Sequence, residues 1–202
     1  MSLSSRTPPS GADDSRNSTR EALLDAAVES LREHGYAATS ARAVARRAGV
    51  SQGALQHHFP SKIALVEAAL LRLVQQLSEG MIAESASSAV VSERERCERF
   101  LDMLWEIHNI PVAAAVLELH LLAHIDTELR ERISPVLDTA LTLVLQVAGR
   151  QLPTLSAKEG FDDWLMTAIA AMRGHLLGAP LATPSVSTDW PRIRHQLLRA
   201  LD

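Results

Sequence analysis

The stretch from Thr39 to Lys62 constrains this chain more than any other. Ser40, or Thr39 beside it, is a good N-cap, because its hydroxyl can accept a bond from an orphan amide in a helix's first turn. Val44, Ala45 and Ala48 then give a small apolar face. Gly49 can take the left-handed conformation that ends a helix, and Ser51 caps the next one. The pattern predicts helices over 40–48 and 51–57 with a glycine in the short turn between them, a helix-turn-helix. Charge agrees. Residues 35–62 hold Arg42, Arg46, Arg47 and Lys62 and no Asp or Glu, so the window is +4 while the whole chain is −4. A basic island in an acidic chain is the footprint of a surface that meets a phosphate backbone.

The second helix of the pair is where such a surface works. Ser51, Gln52 and Gly53 offer free amides and a hydroxyl to a phosphate at a helix start. Gly53 and Ala54 let the backbone come close to a groove wall. Gln52, Gln56 and His57 are the longer polar side chains of the exposed face, and Gln can bond adenine N6 and N7 together. Leu55 and Phe59 are expected to point inward.

Gly35-Tyr36, Thr39-Ser40, Val44-Ala45, Ala48-Gly49-Val50-Ser51, Gly53, Leu55, His58-Phe59, Ser61-Lys62 and Leu65 together resemble the DNA-binding domain of the tetracycline-repressor (TetR) family of bacterial transcriptional regulators. The likeness spans residues 18–66. By match to the family's backbone-contacting positions, Thr39, Ser40, Arg42, His58 and Lys62 would meet phosphates. The family often has Tyr where this chain has Gln56, so the contact that tyrosine commonly makes is not carried over. The resemblance further implies a homodimer on a palindromic double-stranded operator, with a ligand pocket for a small-molecule effector in a second helical domain. Phe100, Met103, Leu104, Trp105, His108, Leu119, His120, Met166 and Met172 are its candidate lining, being large and apolar with few polar groups. The apolar stripes Phe161, Leu165, Ile169, Met172, Leu176 and Ile193, Leu197, Leu201 suit either a core or, as the family implies, a four-helix dimer contact.

The rest of the chain reads as helix throughout. Residues 1–17, with Pro8, Pro9 and Gly11, predict a disordered arm, read either as an unneeded tail or as one whose Arg6 and Arg16 reach DNA as basic arms do in some helix-turn-helix proteins. Ser18-Thr19-Arg20-Glu21 has the pattern of a capping box opening a helix over 18–34 that Gly35 ends. A long helix from Ser61 to about Gly80 carries Ile63, Val66, Leu70, Leu73 and Leu77 on one face, and Glu84 to Ser92 reads as a loop. Helices over 93–108, 111–125, 127–150, 159–178 and 188–201 follow, with Pro135 expected to kink the third of them. The fold class is therefore all-α with about nine helices. A helix-turn-helix domain occupies 18–62, its motif at 40–59, and a ligand-binding and dimerisation domain occupies 63–202. Cys97 is the only cysteine, so an intramolecular disulfide is excluded. Neither a signal peptide nor a membrane-spanning apolar run is legible, and a cytoplasmic protein without cofactor is expected.

Three rival classes compete with this one. Gly49-Val50-Ser51-Gln52-Gly53 matches the Gly-x-Ser-x-Gly of a hydrolase nucleophile elbow, but that elbow needs a strand before its serine, whereas a helix-forming run precedes Ser51. An enzyme is not expected. His120 and His124 lie at a spacing that can share a metal, with nothing nearby to complete a site. The alternative function is a small-molecule binding or sequestering protein that has lost specific DNA binding, for which Gln56 is the one hint.

Overall fold

The computed structural model describes residues 11–86, 92–178 and 189–201. These form ten helices and no strand: α1 Gly11–Ala38, α2 Ala41–Arg47, α3 Gln52–His58, α4 Lys62–Ala86, α5 Glu93–His108, α6 Val112–Leu122, α7 Thr127–Gln151, α8 Pro153–Ser156, α9 Phe161–Gly178 and α10 Trp190–Arg199. The all-α expectation holds, and the helix beyond the expected nine is the single turn α8, which begins on Pro153 at its N-terminal position. Among the described residues no single helix is long and apolar enough to cross a membrane.

Two boundaries differ from the sequence expectation. α1 starts at Gly11, so residues 11–17 are helical rather than part of an arm; residues 1–10, with Arg6, lie outside the described residues. Once a helix has nucleated, each added residue gains one backbone bond, and no proline interrupts the run from 11 to 34. Ser18 therefore lies inside the helix and caps nothing, and the Thr19 hydroxyl donates to the Ser15 carbonyl at 3.0 Å. At the other end, α4 runs through residues expected to be a loop as far as Ala86, because alanine is the strongest helix former and serine only a mild breaker, so a long helix carries on. α7 continues through the exposed Pro135 as one element.

Glycine stops work where the pattern placed them. Gly35 takes φ 74° and ψ −178°, which interrupts α1 one turn before its end. Gly49 takes φ 69°, and the amides of Gly49 and Val50 reach back to the carbonyls of Arg46 and Ala45 at 3.2 and 3.0 Å. That pair of bonds closes the C-terminus of α2 as a Schellman turn. Ser40, Ser51 and Ser61 cap α2, α3 and α4, each accepting from the amide three residues on, at 3.2, 3.1 and 3.1 Å.

Three apolar clusters order the molecule. The first, Leu23, Leu24, Ala27, Val44, Ala45, Leu55, Phe59, Leu65 and Ala69, joins α1 to α4 in an amino-terminal head. A middle cluster packs Leu31 of α1 and Val66 and Leu70 of α4 against Val112, Ala115 and Leu119 of α6 and Leu129, Ile133 and Val136 of α7. The largest holds Phe100, Leu101, Leu104, Val147, Leu152, Phe161, Leu165, Ile169, Met172 and Leu198, from α5, α7, α9 and α10. α1 and α4 thus belong to the head and to the junction alike. Arg72 of α4 ties the two together, reaching Glu21 at 2.7 Å and Asp25 at 3.0 Å on α1.

Candidate functional site

The head presents α3 to solvent by its polar side. Leu55 is 1% exposed and Phe59 4%, both turned into the first cluster. Ser51, Gln52, Gly53, Gln56 and His57 are exposed, while Ala54 and His58 are half-buried, so one face of a seven-residue helix is left free along its length. α2 precedes Ser51, not a strand, and so the Gly-x-Ser-x-Gly match has no elbow around it. Beside α3, Ser40, Arg42 and Arg46 are exposed on and before α2. Neither Arg42 nor Arg46 bonds or pairs with any described residue. Arg47 does pair, with Glu33 of α1, whose carboxyl that bond holds below the usual range.

Two residues expected at phosphates are engaged inside the chain. Thr39 is 1% exposed, and its hydroxyl lies 2.7 Å from the Gly35 carbonyl and 3.2 Å from the Ser30 hydroxyl. It closes the turn after α1, and Ser40 alone is the cap. Lys62 is half-buried, with its ammonium 3.2 Å from the Ala37 carbonyl and 4.1 Å from the Tyr36 ring centroid. Burial lowers its pKa, the nearby Glu118 opposing. A lysine so held is a brace of the turn before it is a phosphate contact.

That turn is also where the rest of the molecule takes hold of the head. Glu118 of α6 accepts the backbone N–H groups of Tyr36 at 2.6 Å and Ala37 at 2.9 Å. A Cβ on Gly35 would lie 2.8 Å from the same carboxylate, and the φ and ψ there suit glycine almost alone. Sequence reading missed this clamp. The signal for it was a lone acid in the otherwise apolar run of α6.

The expected effector-lining residues divide between two cores. Phe100, Leu104 and Met172 are 0% exposed in the largest cluster, with Met103 and Trp105 packed on it, while Leu119 is 0% exposed in the middle one. Trp105 is engaged by other rings: it stacks on Trp190 at 4.7 Å and meets the tilted His175 ring at 4.8 Å. Trp190 and Arg194 of α10 are held in turn by the Asp102 carboxylate, so these rings bind α5 to α10. Met166 is 41% exposed on the outer side of α9 and faces away from both cores. His108 and His120 are the polar members of the set, each half-buried with Nδ1 2.8 Å from the carbonyl four residues back. Among the described residues no group of three or more metal-ligating side chains comes together.

The stripe expected at a dimer contact is mostly consumed within the chain. Phe161, Leu165, Ile169, Met172 and Leu197 are buried in the largest cluster, and only Leu176, Ile193 and Leu201 keep partial exposure. A stripe so wide covers more than one face of a helix, and packing against α5 and α10 takes the most apolar part first. The outer side of α9 shows Met166, Ala170, Gly174 and Leu177 instead.

A capped short helix with a free polar face, set on a glycine turn beside exposed cations, defines a helix-turn-helix DNA-binding transcriptional regulator. Residues 23–69 match the family of bacterial regulatory proteins called tetR. The chain carries that family's amino-terminal domain. It is 29% identical over 157 residues to an uncharacterised HTH-type transcriptional regulator of Mycobacterium tuberculosis, spanning 78% of this chain and 77% of that one. The fold is shared with the transcriptional regulator FadR from Bacillus subtilis in complex with stearoyl-CoA, at TM-score 0.62 and 18% identity over 90% of this chain and 96% of that one. It is shared too with a putative transcriptional regulator from Saccharomonospora viridis in complex with choline, at TM-score 0.63 and 18% identity, covering 92% and 94%.

Proposed function

We propose that the chain is a ligand-responsive repressor that acts as a homodimer in the cytoplasm, with one α3 helix per subunit entering the major groove of a near-palindromic operator. The observation that carries this reading is the exposed face of α3 with the unpaired Arg42 and Arg46 beside it. Gln52, Gln56 and His57 would reach base edges, and Ser40, Arg42, Ser51 and His58 would take phosphates. In a dimer the reading heads must enter grooves about 34 Å apart, so a small change in their spacing costs much affinity. The open side of α9, with Met166 and Leu177 flanking small residues, and the partly exposed Leu176, Ile193 and Leu201 are the surfaces offered to a second copy.

The effector arm of the proposal is supported by the small molecules present in two proteins of this fold, stearoyl-CoA and choline. Its route to the DNA is the Glu118 clamp, which sits on the same helix as Leu119 and His120 and grips the turn that leads into α2. A ligand that shifts α6 pulls on Tyr36 and Ala37, and by linkage operator binding must weaken the ligand to the same degree.

Selection from a random duplex library with the purified chain tests the DNA reading. Enrichment of a two-fold symmetric sequence is expected, with half-sites about one helical turn apart. Recovery of unenriched sequence refutes it. Glu118→Ala tests the coupling separately: it should leave operator contacts in place while reducing the effector's influence on them, and an unchanged influence removes the clamp from the route.

A further inference from the structure

Arg173 is a half-buried arginine with no carboxylate partner among the described residues. Arg47, Arg72 and Arg194, with side chains 34%, 23% and 32% exposed, each meet a carboxylate. Arg173, half-buried on α9, bonds and pairs with no described residue. The sequence offers it little either: α9 has no acid after Asp163, and residues 179–188 contain none. A desolvated cation without a partner costs stability, and such a cost persists where an external anion supplies the missing charge.

What faces it is consistent. α9 packs against both α5 and α6, and its guanidinium lies near enough to His108 of α5 and His120 of α6 to disfavour a second positive charge on either. Each imidazole has Nδ1 on a carbonyl of its own helix, leaving Nε2 for a further partner. Among the described residues no acid pairs with any of the three. On the same three helices Leu104, Leu119 and Met172 are all 0% exposed, so the polar groups stand on helices whose buried side chains are apolar.

Building on the ligand-responsive reading above, we propose that the effector is an amphipathic organic anion whose charged head is held by Arg173, with His108 and His120 at its sides. The guanidinium's planar fork suits a carboxylate or a phosphate, and the apolar side chains of the three helices suit a hydrocarbon or aromatic body. A quaternary ammonium of the choline kind would meet a cation and no carboxylate.

Calorimetric titration of the full chain with four probes of one tail length, decanoate, decyl phosphate, decan-1-ol and decyltrimethylammonium, tests this. Either or both anions should bind more tightly than the alcohol, which of the two does so naming the head group, and the ammonium should bind least. Arg173→Gln should weaken the preferred anion about 10- to 100-fold and leave the alcohol unchanged, with Arg173→Lys between. Without ligand, Arg173→Gln should melt at or above the wild-type temperature, whereas an arginine that merely braces the fold would lower it on removal. If the alcohol or ammonium binds as well as the anions, or Arg173→Gln leaves anion binding intact, the inference is overturned while the effector reading stands. If no probe of any charge binds or changes operator affinity, both fall together.

Discussion

The head and the effector lobe both leave positive charge unpaired, and they do so under opposite conditions. Arg42 and Arg46 stand in water, where an unpaired guanidinium costs nothing and its field is screened within about 10 Å. Arg173 is half-buried, its pKa lowered by desolvation, and it costs stability until a ligand arrives. Exposed open cations suit a long polyanion that exchanges counterions, while a desolvated one suits a discrete anion in a fitted place. The same residue type therefore reports two kinds of partner, and burial tells them apart.

The joint between the regions is where that contrast is most easily broken. Gly35→Ala forces a side chain into a glycine-only conformation and into the Glu118 carboxylate, and should cost about 2 to 3 kcal/mol in chemical denaturation. An unperturbed midpoint would mean that α6 yields freely. Ser51→Ala acts on the head alone: loss of the cap on α3 should cost about 1 kcal/mol and reduce operator affinity without altering binding of anionic probes to the lobe.

The lobe has its own signature in pH. Burial holds the His108 and His120 imidazoles below the ordinary histidine value, the bond to their carbonyls opposing and Arg173 adding to the fall. The unfolded chain then takes up protons at a higher pH than the folded one. The stability due to these groups is fully present above about pH 6.5 and is lost as the pH falls through the folded values. His108→Asn should flatten the dependence of melting temperature on pH below that point, and an unchanged slope would place the titration elsewhere.

How much of this was readable beforehand follows from how far each signal reaches along the chain. Ser40, Gly49 and Ser51 act on residues three to five positions away, so caps, stops and the free face of α3 were legible. The engagement of Thr39 and Lys62 was not, because Ser30, Tyr36 and Ala37, nine or more residues away, meet them only when the end of α1 folds over. Helix α9 was visible as an apolar stripe, but a stripe does not say which neighbour covers it, and Phe161, Leu165 and Ile169 went to the core. Trp105 looked like pocket lining until Trp190, from the far end of the chain, stacked on it. Arg173 and Glu118 were overlooked for the same reason, although each is a lone charge in an apolar stretch of helix.

The exposed cations of α2 are the groups most directly placed to meet the DNA backbone. Operator affinity of the wild type and of the Arg42→Ala, Arg46→Ala double variant, measured by fluorescence anisotropy from about 50 to 200 mM salt, reads their contribution without other assumptions. If both guanidinia neutralise phosphates, the slope of log affinity against log salt falls in magnitude by about 1.8 in the variant, and the melting temperature does not move. An identical slope in the two proteins would contradict the claim that this face of the head meets the DNA backbone.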